Sequence, residues 1–135
     1  SGKWNTFLKY IFIFINDFHY FNLSKKKHLI TDRCPIDKYV GSIVYKDKIR
    51  NLIHKFSLKL YPNPDFIILL EGNPEIIYLR KKEISPDVIS KYIFLYKNYI
   101  KSNSIKSLTI DTVKYSIEET YDFAHLKINE LLKER

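Results

Sequence analysis

Residues 64–75 read Pro-Asp-Phe-Ile-Ile-Leu-Leu-Glu-Gly-Asn-Pro-Glu, and this stretch decides the fold. Residues 66–70 are continuously apolar and too few for a typical helix, so they predict a strand buried on both faces. Upstream, Tyr61-Pro62-Asn63-Pro64-Asp65 ends whatever precedes it, because a residue before proline is pushed out of the helical region. Downstream, Glu71-Gly72-Asn73 turns the chain. Asn73 suits a helix cap and Pro74 the first helical position, so a helix is expected to run from there to about residue 83.

Working outward, the same signals recur. Ser85-Pro86-Asp87 opens another helix, expected to reach about residue 101. Ser107-Leu108-Thr109-Ile110 predicts a short strand ending at Asp111. Ser116 with Glu119 three residues later has the spacing of a capping box, and a final helix is expected to about residue 133. Toward the N-terminus, Ile49, Leu52, Ile53, Phe56 and Leu60 follow helical spacing over residues 46–60. Pro35 and Gly41 read as loop punctuation. The apolar run His28-Leu29-Ile30-Thr31, ending at Asp32-Arg33, reads as a buried strand, and residues 4–23 read as a helix.

Strands alternating with helices predict an α/β fold: a small parallel sheet of about three strands with helices on both faces and right-handed crossovers. No internal repeat or linker divides the 135 residues, so residues 1–135 are expected to form a single domain. Three strands make a narrow sheet whose open edge invites pairing with another chain. The expected partner is therefore a second copy, as in a homodimer, or a segment that supplies further strands.

Composition narrows the function classes. The chain is 45% apolar and 16% aromatic, which is incompatible with global disorder. The net charge is +8, carried mostly by lysine, with the densest runs at Lys25-Lys26-Lys27 and Arg80-Lys81-Lys82. Neither run sits beside a nucleic-acid-binding motif, so DNA and RNA are not the expected partners. The apolar stretch Tyr10-Ile11-Phe12-Ile13-Phe14-Ile15 is far short of the roughly 20 residues of a spanning helix, so no membrane partner is expected. Cys34 is the single cysteine; it excludes an intrachain disulfide and a cysteine zinc cluster, and it fits a reducing, cytoplasmic setting. His19, His28, His54 and His125 have no metal-ligand spacing, so no metal-binding residue is assigned. Tyr92, Tyr96 and Tyr99 share a helix face and read as packing residues.

In open parallel sheets ligands bind beyond the carboxyl ends of the strands. Asp32-Arg33, Glu71 and Asp111 all fall at such ends. Asp32-Arg33 after an apolar run resembles the Asp-Arg motif of the thymidylate kinase-like P-loop nucleoside monophosphate kinases. The stretch from Pro64-Asp65 through the apolar strand and Glu71 to Pro74-Glu75 is similar to the next strand and turn of that family. Arg80, five residues after Glu75, falls where the family has the first arginine of its lid. Ile110-Asp111 with Ile117-Glu118-Glu119 resembles its last strand and final helix. The likeness covers roughly residues 25–134, about the C-terminal two-thirds of such a kinase domain.

The resemblance implies a partial P-loop kinase-like fold and a phosphotransferase moving phosphate from ATP, with Mg²⁺, to a nucleoside monophosphate or similar acceptor. It implies Arg33 on the acceptor phosphate, oriented by Asp32, with Glu71 also on the substrate side. It implies Arg80, with Lys81 and Lys82, over the donor phosphates, so that Asp32 and Arg80 are the catalytic candidates. A guanidinium suits such work because its planar fork takes phosphate oxygens bidentately. The family's glycine-rich loop, G-x-x-x-x-G-K-[ST], does not occur in these residues. The transferase is therefore expected to be incomplete in this chain, the N-terminal strand and loop coming from a partner segment or a longer reading frame. The alternative is a non-catalytic nucleotide-binding or protein-interaction module with a degenerate kinase-like fold.

Overall fold

The computed structural model describes Asn22 and residues 29–134. The chain divides into two compact units between Pro62 and Asn63. The helix expected over residues 4–23 lies outside the described residues apart from Asn22.

The first unit is a helical hairpin of α1 (Pro35–Val44) and α2 (Lys48–Leu60). Pro35 and Gly41, expected to mark a loop, instead lie inside α1. Pro35 takes the first helical position, where its missing N–H costs nothing. The Asp37 carboxylate reaches back to accept the Cys34 backbone N–H at 2.6 Å, which satisfies a donor at the helix start. Ile36, Val40 and Val44, four residues apart, are buried along one stripe, and that gain outweighs the cost of one interior glycine. Lys46 turns the chain with a left-handed φ of 55°. Asp47 then caps α2 by accepting the Arg50 N–H at 3.0 Å.

The strand expected at residues 28–31 does not form over its described part: Leu29, Ile30 and Thr31 are irregular. Ile30 is 68% exposed. An extended segment without a neighbouring ladder leaves its backbone groups to water, and a short apolar run alone does not specify a strand.

The second unit runs β1 (Phe66–Glu71), α3 (Pro74–Lys81), α4 (Pro86–Ser102), β2 (Lys106–Asp111) and α5 (Ile117–Lys133). The two strands pair in parallel, in unbroken register from Phe66↔Lys106 to Glu71↔Asp111. The chain returns between them through two helices, as a parallel crossover requires. Leu69, Ile89, Ile100, Ile105 and Ile110 are buried and form the apolar centre of this unit. The described residues are thus mixed α/β, with five helices and a two-stranded parallel sheet rather than three strands. No described helix is long and apolar enough to cross a membrane.

The caps read from sequence hold. Asn73 Oδ1 accepts the N–H groups of Glu75 at 3.0 Å and Ile76 at 3.4 Å. Ser116 and Glu119 close a reciprocal box, with Glu119 N–H donating to Ser116 Oγ at 3.1 Å and Ser116 N–H to Glu119 Oε2 at 2.8 Å.

Candidate functional site

The parallel register brings Glu71 and Asp111 side by side at the carboxyl ends of β1 and β2. Thr112 locks the two ends together. Its backbone N–H and its hydroxyl both donate to the Glu71 carbonyl, at 2.7 and 3.0 Å. The Asp111 carboxylate folds forward and accepts the N–H groups of Val113 at 2.9 Å and Lys114 at 3.2 Å. That is the local turn an Asp side chain builds with its own backbone, and it stops β2 where it does.

Gly72 lies against this turn. A Cβ there would stand 2.7 Å from Val113 Cγ2 and 3.2 Å from Asp111 Oδ1. Only a residue without a side chain lets the exit of β1 pass so close to the β2–α5 turn.

Charged groups close the rim. Lys97, from α4, sits 2.6 Å from Glu71 Oε2. Half of the Lys97 side chain remains in water, so the pair contributes roughly 1 kcal/mol or less and acts chiefly to orient Glu71. Arg80 lies in the last turn of α3 and donates from its guanidinium to the Thr112 carbonyl at 2.8 Å. α3 delivers it there because Asn73 fixes the helix start and Lys82, at a left-handed φ of 53°, ends it one turn after Tyr78. Lys81, the last residue of α3, and Lys82, its cap, are exposed, with Lys81 Nζ 4.0 Å from Glu83.

The second unit therefore joins Glu71, Asp111 and Arg80 on one rim. Asp32 and Arg33 belong to the first unit, where both are exposed just before the start of α1. Sequence reasoning did not find Lys97 or Thr112; each is separated from its partner by a whole helix or more, and neither stands in a motif. Gly72 was legible only as a turn residue.

The other sequence candidates resolve as structural groups. The Tyr99 hydroxyl donates to Asn63 Oδ1 at 3.1 Å, which ties α4 to the entry of β1. His54 is buried on α2, and His125 stacks on Tyr121 with ring centroids 5.5 Å apart. Burial pushes the Cys34 thiol up to about 11, and the Asp37 carboxylate beside it adds to the rise. A thiol held protonated in this way is a poor nucleophile at neutral pH.

Among the described residues no group of three or more His, Cys, Asp and Glu side chains could hold a metal ion. Glu71 is engaged by Lys97 and Asp111 by two backbone amides. The donor set on this rim does not fit Mg²⁺. No family model matches the chain, and no curated protein or solved structure matches it.

Two outcomes follow from this geometry. Gly72→Ala should lower the unfolding free energy by about 1–3 kcal/mol through overpacking against Val113. Pairing it with Val113→Ala should recover part of that loss, a non-additivity that urea denaturation of the singles and the double would reveal. For Cys34, the folded thiol titrates near 11 against an ordinary value of 9.0. Its contribution to stability is complete below about pH 9 and is lost as pH rises toward 11. Iodoacetamide labelling of the native chain should accordingly be slow at pH 8 and accelerate only above about pH 10, whereas the urea-unfolded chain should label rapidly near pH 9.

Proposed function

We propose that this chain is part of a thymidylate kinase-like phosphotransferase, acting on a nucleoside monophosphate or a similar phosphorylated acceptor with ATP as the phosphate donor. The observation that carries the reading is the rim beyond β1 and β2. There the strand register aligns Glu71 with Asp111, and Arg80 is hydrogen-bonded to Thr112 beside them. The carboxyl ends of parallel strands are where α/β proteins bind ligands. The order of motifs along the chain, Asp-Arg, Pro-Asp-strand-Glu, Pro-Glu and Arg80, supports the same class.

In this reading the resemblance gives Arg33 of the first unit the acceptor-phosphate role, with Asp32 orienting it. On the second unit, taken by itself, the resemblance gives Glu71, held by Lys97, a substrate role and has Arg80, Lys81 and Lys82 meet the donor phosphates. Arg80 is able to do so because its present partner is a single neutral carbonyl on an exposed surface. A polyphosphate would offer a stronger, charge-assisted bond. Phosphoryl transfer relies on positioning and charge stabilisation more than on covalent chemistry, so cationic groups are its principal requirement.

A second reading is favoured by one specific observation: the glycine-rich loop that cradles donor phosphates does not occur in these 135 residues. The chain would then bind a nucleoside monophosphate without transferring phosphate, as a nucleotide-binding or interaction module.

Titration calorimetry with thymidine, adenosine, guanosine and cytidine monophosphates, followed by an assay of ADP formation with ATP, separates the readings. The expected result is monophosphate binding that Arg33→Ala weakens about ten- to a hundredfold, the worth of a charged hydrogen-bonded pair. ADP formation on adding ATP supports the transferase, and binding without ADP formation supports the module. Absence of binding to every monophosphate overturns both.

A further inference from the structure

We draw no further inference here: the strongest candidate, the apolar stripe of Ile49, Leu52, Phe56 and Leu60 along α2, carries none because nothing among the described residues shows what covers it.

Discussion

The parallel ladder between β1 and β2 is the constraint on which the second unit depends. A parallel pair cannot be closed by a tight turn, so the chain must leave the end of β1 and travel back before β2 can begin. α3 and α4 are that return path. The ladder also aligns Glu71 with Asp111, so both exits emerge at the same level. Every contact on the rim follows from this alignment: Thr112 reaches the Glu71 carbonyl, Gly72 passes under Val113, and Arg80 reaches the Thr112 carbonyl.

None of those contacts is strong by itself. The Lys97–Glu71 pair and the Arg80 hydrogen bond are partly solvated and each contributes modestly to stability. Their importance is directional. Glu71 is held by a cation from α4, Asp111 is consumed by its own turn, and Arg80 remains bound to a neutral acceptor that a phosphate could replace. The proposed transferase and the proposed binding module both draw on this rim and differ in whether donor phosphates are held well enough for transfer.

Much of the second unit was legible because its signals are local. Pro74 and Asn73 mark the start of α3, Ser116 and Glu119 the start of α5, and the apolar run ending at Leu70 is too short to be anything but a strand between such neighbours. The errors lie in the first unit. Leu29-Ile30-Thr31 looks like residues 66–70 in composition, but a strand exists only with a ladder partner, and that condition is not written in the run itself. Pro35 and Gly41 read as breakers, yet a proline at the first helical position promotes a helix, and Gly41 is tolerated because Ile36, Val40 and Val44 bury one face around it. Of the site, Glu71, Asp111 and Arg80 were visible as residue types at strand and helix ends. Their partners Lys97 and Thr112 were not, because the pairing is made by tertiary proximity. The helix read over residues 46–60 from its apolar spacing is α2, and its buried side chains are His54 and Ser57, which apolar periodicity does not single out.

The central claim is the parallel register that sets Glu71 opposite Asp111. Cross-strand proton–proton contacts in the NMR spectrum of the isotope-labelled chain test it most directly. The account predicts the evenly spaced contacts of a parallel pair, running in step from Phe66 with Lys106 to Glu71 with Asp111. Close Hα–Hα contacts of an antiparallel pair, or a register displaced by even one residue, would contradict it, because either would separate the two strand ends and dissolve the rim.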